Sequence, residues 1–241
     1  MLRIALVGYG KMGKAIEQEA LSRNHVISRI IDLANQHDIL TLSPANTDVV
    51  IEFTQPGSFP ENLRKVMESG VPLVTGTTGW YDQLAQVQKI VNESGGGLMY
   101  SSNFSIGVNI LFKLNQYLAE MMNRFDQYDC FVEERHHRHK ADAPSGTAYS
   151  LSRQILAGLD RKTRVAGEDL RHRKPEADEL SVGYVRSGEI IGEHTVGYTS
   201  DIDTITISHT AHSRRGFALG AVVAAEWMVG KTGVYEFSSI I

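Results

Sequence analysis

The first 32 residues carry the pattern that most constrains how this chain can fold. A short apolar run, residues 2–7, leads directly into Gly8-Tyr9-Gly10-Lys11-Met12-Gly13, and a helical pattern follows. A second apolar run, residues 25–31, ends at Asp32. Strand, glycine loop, helix, strand and acid in this order are typical of a dinucleotide-binding βαβ unit. We therefore predict a nicotinamide dinucleotide site here, and a tight structural turn followed by a strand-end carboxylate is the alternative.

Asp32 also bears on which dinucleotide would bind. In this fold the acid after the second strand accepts hydrogen bonds from the ribose hydroxyls. The carboxylate would repel the extra phosphate of NADPH, and no arginine follows Asp32 closely. The sequence therefore predicts NADH or NADPH as the cofactor, with a preference for NADH.

Three further strands are predicted at residues 48–53, 72–75 and 97–101, with helical patterns between them. The second of these strands ends in Gly76-Thr77-Thr78-Gly79, and the third leads into Ser102-Asn103-Phe104-Ser105. Glycine and hydroxyl residues at the carboxyl edge of a parallel sheet allow close approach and hydrogen bonding to a ligand. The succession of βα units predicts an α/β fold with a Rossmann-type parallel sheet.

The pattern changes after Gly107. An amphipathic helix is predicted for residues 108–124, and strand-like runs follow, with Ser187-Gly188 as a hairpin signal between two of them. We predict a second, α+β domain with a mixed, largely antiparallel sheet, and treat the polar stretch 162–179 as a solvated or intersubunit loop. The apolar helix at 217–229 should return to the first domain. The expected domains are 1–107 with 215–241, and 108–214.

A basic segment, Arg135-His136-His137-Arg138-His139-Lys140, stands out in a chain whose net charge is −4. Asp142-Ala143-Pro144-Ser145-Gly146-Thr147 follows, which is the pattern of a helix start with proline at or near the first helical position. A helix N-terminus favours an anion, and the bases beside it could supply protons. We therefore interpret this segment as a site for a small anionic substrate, and a solvated loop that binds polyanions is the alternative.

The composition excludes several classes of protein. A net charge of −4 and an isoelectric point near 6.1 argue against a nucleic-acid partner. The single cysteine, Cys130, excludes an internal disulfide and fits a reducing, cytoplasmic location. No cysteine–histidine set has zinc spacing, so we expect no metal. The apolar run 217–229 is too short to cross a bilayer, so no membrane association is expected.

The sequence from Glu133 to Ala148 resembles the signature of the dihydrodipicolinate reductase (4-hydroxy-tetrahydrodipicolinate reductase) family, and the glycine-rich loops resemble the family's cofactor loops in order and spacing. The resemblance implies NAD(P)H-dependent reduction of 4-hydroxy-tetrahydrodipicolinate to tetrahydrodipicolinate in the diaminopimelate route of lysine biosynthesis. It also implies a small dicarboxylate substrate and a homotetramer assembled through the sheets of the second domain.

The resemblance further implies roles for individual residues. The catalytic histidine falls on His136 and the lysine proton donor on Lys140, and the substrate contacts fall on His137, Gly146 and Thr147. The dinucleotide-binding positions fall on Gly8, Tyr9, Gly10, Lys11, Met12, Gly13, Asp32, Gly76, Thr77, Thr78, Ser101, Ser102, Asn103 and Phe104.

This assignment agrees with the chemistry that the residues themselves suggest. Hydride addition leaves an enamine-like product that must be protonated, and the Lys140 ammonium can donate that proton with His136 assisting. Crowding of the bases should lower the pKa values of the histidines and the lysine by mutual repulsion.

Two other functions would share part of the pattern. Another two-domain nicotinamide enzyme, such as an amino-acid dehydrogenase, would have the same first hundred residues but no reason to carry the histidine-rich segment. A dinucleotide sensor would keep residues 8–32 without needing a proton donor.

Overall fold

The computed structural model describes residues 1–166 and 172–241, where strands and helices alternate over the first hundred residues. The strands are β1 (Arg3–Val7), β2 (Val26–Ile31), β3 (Val49–Glu52), β4 (Leu73–Thr75), β5 (Gly97–Tyr100), β6 (Asp129–His136), β7 (Arg164–Val165), β8 (Glu179–Arg186), β9 (Gly192–Thr199), β10 (Thr204–Ala211) and β11 (Gly233–Glu236). The α-helices are α1 (Lys11–Ser22), α2 (Phe59–Ser69), α3 (Leu84–Ser94), α4 (Ile106–Met122), α5 (Gly146–Gly158) and α6 (Arg215–Met228). These elements divide into two units, residues 1–106 with 214–241 and residues 107–213.

The first unit is built on a sheet with the strand order β11-β5-β4-β3-β1-β2, and each neighbouring pair runs parallel. The central strand β3 is buried along its whole length, because helices cover both faces of the sheet. The predicted Rossmann-type sheet is confirmed. The edge strand β11 was not predicted, since its four residues carry no apolar run.

Successive side chains of β1 point to opposite faces of this sheet, as strand geometry requires. Ile4 and Leu6 pack in a cluster with α1 and α6, whereas Ala5 and Val7 pack in a second cluster with α2 and α3. The helix α6 is apolar because it lies in the first of these clusters. Its Gly220 packs so closely against the backbone of Phe104 that a Cβ there would lie 1.7 Å from the Phe104 carbonyl oxygen.

The second unit contains a mixed sheet with the order β10-β9-β6-β8-β7. The strand β9 is antiparallel to both β6 and β10, whereas β8 is parallel to both β6 and β7. The expected mixed, largely antiparallel sheet is confirmed, since the longest ladders of this sheet are the antiparallel ones that β9 forms with β6 and β10. The helices α4 and α5 cover one face, where Leu111, Leu151 and Ile155 pack against Val132 and Val196.

The predicted hairpin at Ser187-Gly188 is wrong. The strands β8 and β9 lie on opposite sides of β6, so the turn between them crosses the end of β6 rather than joining neighbours. The backbone N–H of Ser187 donates to the carbonyl of His136 at 2.9 Å, and that of Arg138 donates to the carbonyl of Gly188 at 3.1 Å. The turn thus fastens the start of the basic segment to the sheet.

The polar stretch 162–179 is not simply a solvated loop. It contains β7, and Lys162 is only 3% exposed. The Lys162 ammonium donates to the carbonyls of Ala177 and Glu179 at 2.9 and 2.7 Å and pairs with Asp129 at 2.6 Å. Arg171, which the sequence placed in this loop, lies outside the described residues.

Candidate active site

A cavity of about 520 Å³ lies in the first unit, at the carboxyl ends of β1, β2 and β3. The residues that follow these strands line it, as expected for a ligand site in an open α/β sheet. Its lining includes the predicted residues Gly8, Tyr9, Gly10 and Asp32. Sequence reasoning missed seven further lining residues with polar side chains: Gln36, Thr54, Gln55, Ser58, Glu61, Asn62 and Lys65.

The first glycine loop contains Gly8, Gly10 and Gly13, and each of them is a glycine for a different structural reason. Gly8 has φ +89°, and a Cβ there would lie 2.1 Å from the carbonyl oxygen of Phe53. A Cβ at Gly13 would lie 2.4 Å from the carbonyl oxygen of Gly8, so this residue permits the close packing of α1. A Cβ at Gly10 would have no atom of the described residues within 4 Å, and Gly10 has no side chain that could cap the N-terminus of α1. Gly10 therefore leaves the first N–H groups of α1 open to an anion.

The other residues of this loop differ in exposure. Lys11 is exposed, and Met12 is partly buried against the core. The Tyr9 hydroxyl donates to Glu17, which raises the pKa of Tyr9.

Asp32 is exposed at the rim of the cavity and also caps a 3₁₀ helix, Leu33–Thr41. Its Oδ1 accepts the Leu33 N–H at 2.9 Å, and the Asn35 side chain accepts the Asp32 N–H at 2.8 Å. The Asp32 carboxylate thus has the structural role of a helix cap, and it also lies where a ligand in the cavity could reach it.

The second glycine-containing loop, Gly76-Thr77-Thr78-Gly79, packs on buried polar groups. A Cβ at Gly76 would lie 2.1 Å from the Phe53 ring, and Thr77 is buried with its hydroxyl accepting the Thr54 N–H at 2.8 Å. The buried Glu52 carboxylate accepts hydrogen bonds from Thr54 and Thr75. Burial raises the pKa of Glu52 despite these bonds. The side chain of Thr78 is exposed.

The third predicted cofactor segment is partly structural. Ser101 is buried, and its hydroxyl donates to the carbonyl of Asn103 at 2.8 Å, whereas Ser102 is exposed. Phe104 is 2% exposed and packs against the ring of Phe237 with centroids 4.9 Å apart. Its side chain thus belongs to the core, and only its backbone could contact a cofactor.

In the second unit, a cluster of polar side chains lies at the end of β6. Glu134 and His136 continue the buried face that Cys130 and Val132 begin. His194 of β9 is paired with Glu134 in the sheet register. The Nε2 atoms of His136 and His194 are 3.3 Å apart, and Oε2 of Glu134 lies 3.6 Å from each of them.

Glu134 is fully buried and remains charged. Its carboxylate accepts the Ser145 backbone N–H at 3.0 and 3.1 Å and pairs with Arg186 at 2.6 Å. Burial alone would raise the pKa of Glu134, but hydrogen bonds from His194, Ser145 and Arg186 lower it to about 2. The carboxylate thus ties the N-cap of α5 to the end of β6.

His136 is held in its neutral form. Burial is the main cause of its lowered pKa, the neighbouring His194 lowers it further, and Glu134 opposes both. The sequence attributed such a shift to crowding in the basic segment, but burial is the larger cause here. The Nδ1 atom of His136 lies 3.2 Å from the carbonyl oxygen of Ile191, which fits an N–H donated at that nitrogen.

The rest of the basic segment is largely paired with acids. The Lys140 ammonium contacts both oxygens of Asp142 at 2.7 and 2.9 Å, and its side chain is 22% exposed. Arg135 pairs with Glu133, and His139 lies 3.6 Å from Glu189. These pairs argue against the polyanion-binding alternative.

The substrate positions implied by the resemblance lie near these groups along the chain. The Nδ1 atom of His137 is buried and has no hydrogen-bond partner among the residues that the structure describes. Gly146 begins α5, two residues after Pro144, and Ser145 is the N-cap of the helix. The Ser145 hydroxyl accepts the Ala148 N–H at 3.2 Å. The N–H groups of Gly146 and Thr147 have no acceptor within the helix and can bind an anion.

No helix among the described residues is long and apolar enough to cross a membrane. The family models for dihydrodipicolinate reductase match residues 2–104, as its N-terminus, and residues 107–241, as its C-terminus. A 4-hydroxy-tetrahydrodipicolinate reductase from Christiangramia forsetii is 41% identical over 241 residues, covering 100% of this chain and 98% of that protein.

Solved structures show the same fold. The dipicolinate-bound dihydrodipicolinate reductase from Paenisporosarcina sp. TG-14 superposes with a TM-score of 0.79 at 22% identity, covering 100% of each chain. GenD2 from gentamicin A biosynthesis, in complex with NAD, has a TM-score of 0.59 at 13% identity and covers 95% of this chain and 86% of its own.

Proposed function

Because this chain belongs to the dihydrodipicolinate reductase family, we propose that His136 and Lys140 form the acid–base group of its reaction. The activity is the nicotinamide-dependent reduction of 4-hydroxy-tetrahydrodipicolinate in the diaminopimelate route of lysine biosynthesis. The substrate gains one hydride and one proton and loses one water. The dinucleotide, when bound, supplies the hydride from C4 of its nicotinamide.

The residues of the second unit would handle the anionic substrate and the proton. The Lys140 ammonium would donate the proton, and its contacts with both oxygens of Asp142 at 2.7 and 2.9 Å fix its position. His136, neutral at Nε2, assists as a relay. The N–H groups of Gly146 and Thr147 would bind one carboxylate of the substrate, with His137 as a further contact.

One observation carries this assignment. Both oxygens of Glu134 accept the Ser145 N–H, and Oε2 also lies 3.6 Å from Nε2 of His136. A single buried carboxylate therefore connects the N-terminus of α5 with the proposed catalytic histidine. This connection supports a carboxylate-bearing substrate bound beside His136.

The cofactor would bind in the cavity of the first unit through residues 8–13, Asp32, 76–78 and 101–104. A preference for NADH is supported by the position of Asp32 at the rim of that cavity. We further propose a cytoplasmic homotetramer. Val185 of β8 is registered with Arg135, on the face of the second sheet opposite Glu134, and is 43% exposed, which supports assembly through that sheet.

The test is a cofactor-oxidation assay with the aldol condensation product of pyruvate and aspartate semialdehyde as substrate. His136→Gln and Lys140→Met should each lower kcat about 10²–10⁴-fold, the range for lost acid–base catalysis. His139→Gln removes a neighbouring exposed histidine and should leave kcat within about twofold. A loss of less than about threefold at His136 or Lys140 would show that its role is misassigned.

A further inference from the structure

Three buried side chains of the second unit direct their donor atoms at one another. The Nε2 atoms of His136 and His194 are 3.3 Å apart, and Oε2 of Glu134 is 3.6 Å from each of them. Ligand atoms around a tetrahedral zinc ion, bound at about 2.0–2.1 Å, lie about 3.3–3.4 Å from one another. The triangle of donor atoms therefore has nearly the size that such an ion requires.

We propose that Glu134, His136 and His194 form a binding site for a divalent transition-metal ion, and that Zn²⁺ is the ion it fits best. Two imidazoles and one carboxylate are a ligand set that zinc sites with an open fourth position use. The Ser145 hydroxyl lies beside these donor atoms, 3.2 Å from Nε2 of His194.

The contacts around the triangle orient the donor atoms as an outer shell does in metal sites. Nδ1 of His136 lies 3.2 Å from the carbonyl oxygen of Ile191, and an N–H donated there leaves the lone pair of Nε2 on the side of the triangle. Arg186 binds Oε1 of Glu134 at 2.6 Å, which leaves Oε2 towards the two histidines. Both donors are thus oriented before an ion binds.

The same contacts make the ion exchangeable. Arg186 already neutralises the Glu134 carboxylate, so the fold does not need a metal to compensate a buried charge. The cation also competes with a metal for the charge of the carboxylate, so binding should be weaker than at a similar site without the arginine. An ion would replace the contact between the two imidazoles. It would then occupy the nitrogen of His136 that assists proton transfer, and this consequence rests on the proposed function.

The proposal is tested with Co²⁺ as a spectroscopic probe of the full chain. In the wild type, Co²⁺ should give the intense visible absorption of a four- or five-coordinate site, and Zn²⁺ should displace it at one equivalent. His194→Gln and His136→Gln should each abolish this spectrum, with far-UV circular dichroism showing that at least one of them is folded. His139→Gln is the matched control, since it removes the exposed histidine beside Glu189 and should leave the spectrum unchanged.

An absent spectrum in the wild type, or an intact one in folded His194→Gln, would overturn the metal site and leave a hydrogen-bonded cluster. Loss of the spectrum in His139→Gln alone would do the same, because the ion would then sit on the exposed histidines. In the enzyme assay, Zn²⁺ should inhibit the wild type and a chelator should restore activity. Metal binding without inhibition would keep the site and overturn the proposed role of His136.

Discussion

The Nε2 atom of His136 lies 3.3 Å from the Nε2 atom of His194, and both rings are buried. One imidazole must donate to the other at this distance, and the contact of Nδ1 of His136 with the carbonyl of Ile191 makes His194 the fitting donor. The orientation of His136 thus depends on a residue 58 positions away in the sequence. Glu134 lies beside both rings and holds the arrangement in place.

Glu134→Gln should destabilise the second unit, because it leaves the Arg186 cation, whose side chain is only 16% exposed, without its partner. Breaking a buried ion pair costs about 3–5 kcal/mol, and some exposure of Arg186 places the expected loss near the lower end. Hydrogen exchange of the backbone amides of β6 and β9 measures this loss in the free energy of unfolding.

Glu133→Gln is the control for this substitution. It removes the nearer of two carboxylates beside Arg135, whose side chain is 51% exposed, while Glu193 stays 3.7 Å away. The loss should be less than about 1 kcal/mol. Equal losses for the two variants would contradict the structural role of Glu134.

Gly8→Ala and Gly10→Ala should differ sharply in stability although both change the same loop. Gly8→Ala places a Cβ against the Phe53 carbonyl at positive φ and should destabilise the first unit by more than about 1 kcal/mol. Gly10→Ala has space for its Cβ, so it should fold normally and instead weaken cofactor binding. Trp80 and Trp227 both lie in the first unit. Urea unfolding followed by tryptophan fluorescence therefore measures the stability of this unit in each variant. Equal stability of the two variants would count against this account of the loop.

The parallel sheet of the first unit could be predicted because its information is local. Buried strands such as β1 contain continuous apolar runs, here residues 4–7, and the glycine loop between β1 and α1 has a fixed spacing. The hairpin at Ser187-Gly188 failed because a turn signal marks a reversal but not which strand the chain pairs with afterwards. The order β9-β6-β8 is a tertiary choice that neighbouring residues do not encode.

The candidate site was predictable only in part. His136, Lys140 and the helix start at Gly146 lie within one segment, so sequence reasoning found them together. His194 and Arg186 reach the site through strand pairing, which spacing along the chain does not show. A signal did exist for His194, since it occupies the buried face of β9 with Val196 and Tyr198. A polar residue at a position where the strand pattern requires an apolar one could therefore have indicated His194 as a site residue.

Asp32→Asn should raise the preference for NADPH over NADH. The asparagine can keep the hydrogen bond to the Leu33 N–H, so the variant removes the charge without removing the cap. Loss of a repulsion of about 1 kcal/mol between a carboxylate and a phosphate changes the ratio of the two kcat/KM values about fivefold. Steady-state kinetics with both cofactors measures the ratio. An unchanged ratio would mean that Asp32 does not face the 2′ position of the ribose.

The second unit should lose stability in acid partly through Glu179. Its hydrogen bonds from Arg173, with further contributions from the Glu176 N–H and Arg164, lower the pKa of this carboxyl from 4.5 to about 2 in the folded chain. A lowered folded-state pKa stabilises the fold above the unfolded value, and the stabilisation is lost as the pH falls from 4.5 towards 2. Glu179→Gln should therefore be less stable than the wild type at pH 6, with the difference shrinking as the pH falls through this range. Urea unfolding followed by far-UV circular dichroism at several pH values measures this, with the exposed Glu176→Gln as control. A Glu179→Gln deficit that stays constant from pH 6 to pH 3 would show that the charge of Glu179 is not the source of its effect.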